Sequence, residues 1–288
     1  MTQRAITNAM TVDVEDYFQV SAFEKHIDKS QWDTLQHRVA DNTERILDLF
    51  AQHQVKATFF TLGWVAERYP AVVKRIVAEG HELASHGYEH IRVTEQTPEQ
   101  FRADIKKTKR LLEDMAGQTV IGYRAASYSI GAKNLWALRI LEEEGHLYSS
   151  SIYPVKHDLY GMPSAPRFAF HPDNTQNLLE LPISTLKIPG KNIPCGGGGF
   201  FRLYPYLFSK AAYQYLNLVE RQAGIFYFHP WEIDPHQPRQ QNLPFKSRFR
   251  HYLNLSRVES RLNNLLNDFA WDTMQNVFLS TPLAKTPS

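Results

Sequence analysis

An α/β fold built on a parallel sheet is what this sequence predicts, with a barrel favoured over an open doubly wound sheet. Three observations carry that prediction. Short apolar strands alternate with amphipathic helices through the first half of the chain, and proline or glycine punctuates the helix boundaries. Polar residues able to do chemistry also recur at the carboxyl ends of the strands, where parallel α/β folds collect their sites.

Ala9 to Val14 is the first strand, an apolar run closed by the acidic knot Asp13-Val14-Glu15-Asp16. Thr43 to His53 carries Ile46, Leu47, Leu49 and Phe50 at helical spacing and leads into the strand-like Ala57-Thr58-Phe59-Phe60-Thr61. Pro70 opens a second helix, with Val72, Val73, Ile76 and Val77 on one face, that stops at Gly80 before a strand from His81 to Ser85. Pro98 to Met115 reads as a third helix, Val120 to Tyr123 as the next strand, and Lys133 to Glu144 as a fourth helix ended by Gly145. Prolines then crowd the chain, from Pro154 to Pro194, and lead into Cys195-Gly196-Gly197-Gly198-Gly199. Residues 155–203 are therefore expected to form a loop elaboration over the barrel mouth. Tyr204 to Ala223 is helical again, Gly224 to Phe228 is a strand, and Leu253 to Phe269 repeats leucines at helical spacing. The resulting division is a barrel over residues 1–235 and a helical C-terminal extension over residues 236–288, packed on the barrel.

Composition narrows the function. With 43% hydrophobic residues, 288 residues fill a sizeable core without staples, and the single Cys195 excludes an intramolecular disulfide framework. The start, Met1 to Asn8, lacks the apolar core of a signal peptide, and no stretch approaches the roughly 20 apolar residues that cross a bilayer. The expectation is a soluble cytoplasmic protein with no transmembrane segment. A formal charge of +2, from 32 basic and 30 acidic residues, gives no reason to expect nucleic acid as a partner. A homo-oligomer stays open.

Asp13, His86, Arg124 and His229 each fall at or just past a strand end and are expected to converge on one rim. His86 and His90, in Ser85-His86-Gly87-Tyr88-Glu89-His90, join the acidic knot as the donor set of a catalytic divalent site; a structural zinc site would use several thiolates. An isolated His-x-x-x-His pair is more often incidental, and it is the placement at strand ends that reverses that reading. In an extended strand Asp13 and Glu15 share a face while Asp16 points away, which favours Glu15 as the acidic ligand; a bulge would favour Asp16. The glycine run lacks the Gly-Lys-Ser/Thr of a phosphate loop and reads as a lid or a close backbone approach. Tyr17, Phe18, Tyr128, Phe200, Phe201 and Trp231 are either core residues or a sugar-stacking platform.

The knot, the histidine pair, Tyr123-Arg124-Ala125-Ala126-Ser127-Tyr128 and Phe226-Tyr227-Phe228-His229-Pro230 resemble, in order, the motifs of the polysaccharide deacetylases, the NodB-homology class or carbohydrate esterase family 4. Val14-Glu15-Asp16-Tyr17-Phe18-Gln19-Val20 and Gly197-Gly198-Gly199-Phe200-Phe201-Arg202 resemble the branch found beside exopolysaccharide and PEP-CTERM/exosortase loci, akin to the allantoinase-like and Helicobacter peptidoglycan-deacetylase-like members. The resemblance implies a distorted (β/α)7 barrel and hydrolysis of an N-acetyl group on an amino sugar, in a polysaccharide or its precursor. It implies a divalent metal, zinc by preference, held by His86, His90 and one acid of the knot, with Asp13 as general base, Arg124 holding that base ionised, and His229 as general acid. Without an export signal, a lipid-linked or oligosaccharide intermediate at the inner face of the membrane fits better than an external polymer. Two positions depart from the pattern. Ala126 replaces a proline, and Ser149 stands where this branch often has the aspartate that tunes the catalytic histidine, so that Asp158, Asp234 or Glu232 takes that part or the acid step is weakened. An allantoinase-like hydrolase of cyclic ureides and a catalytically defective carbohydrate-binding barrel are the alternatives.

Overall fold

The computed structural model describes residues 6–158, 160–241 and 243–280. Its sheet is organised around β1 (Thr7–Val14), buried from Asn8 onward. Met10, Val12 and Val14 join the large core cluster beneath the helices, while Ala9 belongs to the cluster inside the curl. Thr11 and Asp13 alternate with the first set and so share the inner face.

Helices and strands then alternate as expected. α1 (Val39–His53) precedes β2 (Thr58–Thr61); α2 (Gly63–Arg68) and α3 (Pro70–Ala78) precede β3 (Glu82–Ser85). α4 (Pro98–Ala116) shows why the boundaries were legible. Thr97 and Gln100 form a reciprocal capping box, Pro98 occupies the first turn, and Gly117 ends the helix in the left-handed region at φ 64°. β4 (Gly122–Tyr123), α5 (Trp136–Glu143), β5 (Tyr148–Ser149) and β6 (Leu179–Glu180) follow. An antiparallel hairpin, β7 (Thr185–Ile188) and β8 (Lys191–Pro194), leads to α6 (Gly198–Leu203), α7 (Tyr206–Gln214) and β9 (Ile225–Phe228). The chain continues through α8 (Phe245–Tyr252), α9 (Val258–Asp268) and β10 (Ala270–Asp272).

The main sheet has eight strands, all paired in parallel, in the order β10-β1-β2-β3-β4-β5-β6 with β9 also on β1. Setting the short β10 aside leaves the run β9-β1-β2-β3-β4-β5-β6, the seven strands of a distorted (β/α)7 half-barrel. Among the described residues β6 and β9 do not pair, so the curl is not closed by a ladder. The β7–β8 hairpin lies between them in the chain, and Gly197 after it bridges to Tyr227 of β9.

Three expectations need correction. Residues 155–203 are not all loop, because β6 lies within them; Leu178-Leu179-Glu180-Leu181 before Pro182 is too short to show a period. The extension is not wholly helical, because β10 pairs with Thr7–Ala9 of β1, and Leu262, Leu265 and Leu266 of α9 share one core cluster with Ile46, Leu47 and Phe50 of α1. Residues 281–288 of the expected extension lie outside the described residues. The helix expected over Tyr204–Ala223 is divided, with α7 passing into a π turn at Tyr215–Val219.

The glycine run is a close backbone approach to β9 rather than a lid. Tyr227 donates its amide to the Gly196 carbonyl at 2.8 Å, and a Cβ on Gly197, at φ 122°, would stand 2.0 Å from the Tyr227 oxygen. Gly197→Ala is therefore expected to cost roughly 2–4 kcal/mol, through backbone strain plus overpacking. A urea unfolding midpoint within error of the parent protein would contradict this.

Candidate active site

The inner face of β1 delivers Asp13 to the rim, and the next turn delivers Glu15. Opposite them, Arg124 follows β4 directly and is fully buried, with its guanidinium 4.0 Å from the Phe60 ring. Its Nη1 donates to Asp13 Oδ1 at 2.5 Å and to Thr11 Oγ1 at 2.8 Å, while Nε and Nη2 donate to the Ser150 carbonyl and hydroxyl at 3.2 and 3.1 Å. Burial opposes charge on Arg124, and Asp13 beside it outweighs that penalty. Asp13 Oδ1 is thus occupied, and Oδ2 is the oxygen that faces the pocket.

His86 leaves the end of β3 with Nδ1 2.8 Å from the Arg124 carbonyl, which fixes Nδ1 as the protonated nitrogen and leaves Nε2 with its lone pair. The turn to His90 is pinned from both sides. Gly63 and Trp64 at the start of α2 donate to the carbonyls of Gly87 and Tyr88, and the Tyr88 amide donates to Asp104. Gly87 takes φ 76° and His90 φ 53°, a conformation a non-glycine residue adopts at a cost. Glu15, His86 and His90 then offer one donor atom each, all within 4.8 Å of one another.

Those donors fit a divalent cation. Two imidazoles and a carboxylate are a catalytic rather than a structural ligand set. Glu15 Oε2 lies 3.0 Å from His90 Nε2, yet off the hydrogen-bonding direction, so this buried oxygen has no hydrogen-bond partner. Burial pushes the Glu15 carboxyl up, but His90 and His229 together bring it down to about 2, so it stays ionised. Asp16, carried from the sequence as the other candidate ligand, is elsewhere. It accepts the backbone amides of Tyr17, Arg38 and Val39, and so caps the entry to α1. Both acids lie past the end of β1, and it is Glu15, not Asp16, that the chain brings beside His86 and His90.

His229 follows β9 and faces the same centre, with Nε2 3.5 Å from Glu15 Oε1 and 4.0 Å from Asp13 Oδ2. Its Nδ1 lies 2.9 Å from Glu232 Oε2, and Glu232 Oε1 accepts from Arg202 Nε at 2.6 Å. Burial works against the imidazolium, but Glu15, Glu232 and Asp13 raise its pKa to about 9. Glu232 is therefore the carboxylate that Ser149 is not. Asp158 pairs instead with Lys246 and Arg250, and Asp234 with Arg38. Of the two outcomes expected for Ser149, a substitute carboxylate and a weakened acid step, the geometry favours the first. The Ser149 hydroxyl donates to Ser151 Oγ at 2.8 Å. Behind it the buried Glu180 accepts the amides of Ser151 and Ile152, bracing the segment that holds Arg124.

Asp13, Glu15, His86, His90 and His229 line one pocket of about 160 Å³, walled by Tyr128, Tyr160, Tyr227 and Trp231. Of the aromatics left undivided by sequence, Tyr128 and Trp231 line it, Tyr17, Phe18 and Phe201 are core, and Phe200 lines the neighbouring groove. Sequence reasoning gave no part to Thr11, Ser150 or Arg202. The first two carry no signal beyond a hydroxyl, whereas Arg202 sits in the phrase after the glycines, which marks a branch but not a partner.

Two family comparisons tile this geometry. Residues 26–145 match the polysaccharide deacetylase family and residues 150–279 match DUF3473, a domain of unknown function. The match to the polysaccharide deacetylases, the NodB-homology class or carbohydrate esterase family 4, thus spans a little under half of the chain. His86, His90 and Arg124 lie in the first match and His229, Glu232 and Arg202 in the second, while Asp13 and Glu15 precede both. Over 75 residues the chain is 45% identical to the peptidoglycan-N-acetylglucosamine deacetylase of Bacillus cereus, a stretch that is 26% of this chain and 27% of that protein. In fold it resembles a Mycobacterium smegmatis protein assigned as a polysaccharide deacetylase, with a TM-score of 0.61 at 17% identity over 100% of this chain and 97% of the other. Puue allantoinase has the same fold, with a TM-score of 0.60 at 17% identity over 96% and 90% of the two chains. No helix among the described residues is long and apolar enough to cross a membrane.

Proposed function

We propose that this protein is a metal-dependent hydrolase that removes the N-acetyl group from an amino sugar of a polysaccharide or its precursor, in exopolysaccharide biosynthesis. The observation that carries the reading is the meeting of two separately braced groups, Asp13 on Arg124 and His229 on Glu232, in one pocket with the Glu15, His86 and His90 donors. Zinc suits that donor set. A divalent cation bound there supplies Lewis acidity to the amide carbonyl and to water.

The side chains divide the proton transfers between them. Asp13 Oδ2 accepts the proton of the attacking water, and Arg124 holds the carboxylate aimed through Oδ1. His229 donates from Nε2 to the departing amine nitrogen, without which an amide does not expel its amine; Glu232 and Arg202 hold the ring in place through Nδ1. Tyr128, Tyr160, Tyr227 and Trp231 offer apolar and aromatic walls to a sugar and its acetyl methyl.

The sign of the pH dependence follows. A donor with a raised pKa is competent below that value and is lost as pH rises through it, so the alkaline limb of the rate profile lies at or below about 9, because a bound cation lowers the pKa further. Glu232→Gln removes a charge that raises this pKa, and the limb is expected to move to lower pH. A limb unmoved in a folded Glu232→Gln protein would take His229 out of the donor role. Acetate release from N-acetylglucosamine oligomers, run beside cyclic ureides, tests the reaction class itself; ring opening of a ureide without acetate release would replace the deacetylase reading.

A further inference from the structure

A second, larger groove opens from the catalytic pocket. Its volume is about 530 Å³ against about 160 Å³, and Tyr160, Tyr227, His229 and Trp231 are walls of both. Beyond that shared wall its lining is apolar, from Pro194, Phe200, Leu203, Phe249 and Leu253. Leu203 and Phe249 are 46% and 48% exposed, and Phe249 stacks on Phe245, itself 83% exposed, so a large apolar surface is left to water beside the site. Lys156, Lys246 and Arg250 also line this groove. Asp158 pairs with Lys246 at 2.7 Å and with Arg250 at 3.3 Å, so with Lys156 in the same lining the three cations outnumber that carboxylate by two.

We infer that this groove holds an isoprenoid-type chain carrying a phosphate, so that the substrate is an amino sugar joined through phosphate to a lipid. The inference rests on the deacetylase reading and names its substrate class. A neutral glycan offers hydroxyl groups, for which Pro194, Phe200, Leu203, Phe249 and Leu253 supply no side-chain partners. A long acyl chain on the scissile nitrogen matches the apolar wall but leaves the excess positive charge unmatched. An apolar chain with an anionic head uses both features. A sugar seated against Tyr160, Tyr227, His229 and Trp231 can pass its substituent directly into the groove.

The test is calorimetric titration of the full chain with farnesyl phosphate, kept below its micelle-forming concentration, beside farnesol and inorganic phosphate. Farnesyl phosphate is expected to saturate at one per chain, with a Kd at least about tenfold below that of either fragment. Leu203→Asp and Phe249→Asp, both half-exposed positions, are each expected to weaken it by about tenfold or more, with unchanged melting as the control for folding. Equal affinity for farnesol and farnesyl phosphate, no saturable binding, or sedimentation with phosphatidylglycerol vesicles without binding of the monomeric lipid would each overturn the inference. Acetate release from N-acetylglucosamine oligomers, measured on the same protein, separates the two claims. Acetate release without farnesyl phosphate binding sinks the groove alone, while lipid binding without any acetate release retains the groove and sinks the deacetylase.

Discussion

Asp13→Asn is expected to lower the turnover of an N-acetylated sugar by about 10²–10⁴, the usual contribution of general acid–base catalysis, while the protein keeps its metal and its fold. The side chain is nearly isosteric, and the amide oxygen can still accept from Arg124. What disappears is the basicity of the oxygen that faces the pocket. Arg124 retains Thr11 and Ser150 as acceptors, so the change leaves a buried cation bonded though less well neutralised, and a modest fall in melting temperature accompanies the loss of rate. Single-turnover kinetics with metal content measured on the same sample would check it. Loss of the metal in Asp13→Asn, with Glu15→Gln still fully loaded, would exchange the roles of the two carboxylates.

His86→Ala has a different expected signature. It removes one donor from the group of three, and it also removes the bond to the Arg124 carbonyl that orients the ring. Affinity for zinc should fall by more than the roughly 10–100-fold that loss of a supporting partner alone costs, and turnover should fall with it. Excess zinc should restore part of the activity if the remaining donors still bind. Asp16→Asn serves as the contrast. Its carboxylate is spent on backbone amides at the start of α1, so the substitution should lower stability and leave zinc affinity within about twofold. Undiminished zinc in His86→Ala, or lost zinc in a folded Asp16→Asn, would contradict the assignment.

Those contrasts show which parts of the molecule were legible in the residues. The helices of the first half were, because capping boxes, prolines and glycines stand at their ends and their apolar faces repeat over several turns. The convergence of Asp13, His86, Arg124 and His229 was legible for a topological reason. Parallel strands send their carboxyl ends to one rim, so residues just past several strands must meet. The preference for Glu15 over Asp16 came from the two-residue period of a strand; both residues in fact lie past the end of β1, and Glu15 is the one grouped with the histidines. The rest depended on contacts between distant segments. β6 and β10 are too short to show a period and exist because β5 and β1 offer them an edge. Glu232 was one of three candidate partners for His229 because position alone does not show which carboxylate is taken. The structure separates them by contact, since Glu232 Oε2 lies 2.9 Å from His229 Nδ1 while Asp158 and Asp234 are engaged by Lys246, Arg250 and Arg38 instead. Ser150 and Arg202 have no motif of their own; one holds the arginine that holds the base, and the other the carboxylate that holds the acid.

The most direct measurement is acetate release from N-acetylglucosamine oligomers by metal-stripped protein titrated with zinc. The grouping of Glu15, His86 and His90 in one pocket with Asp13 and His229 predicts no release from the stripped protein. Release should rise linearly with added zinc and reach its plateau at one ion per chain, with an equal yield of free amine. Zinc bound at one per chain with neither acetate nor amine formed, or full release from the stripped protein, would contradict the account.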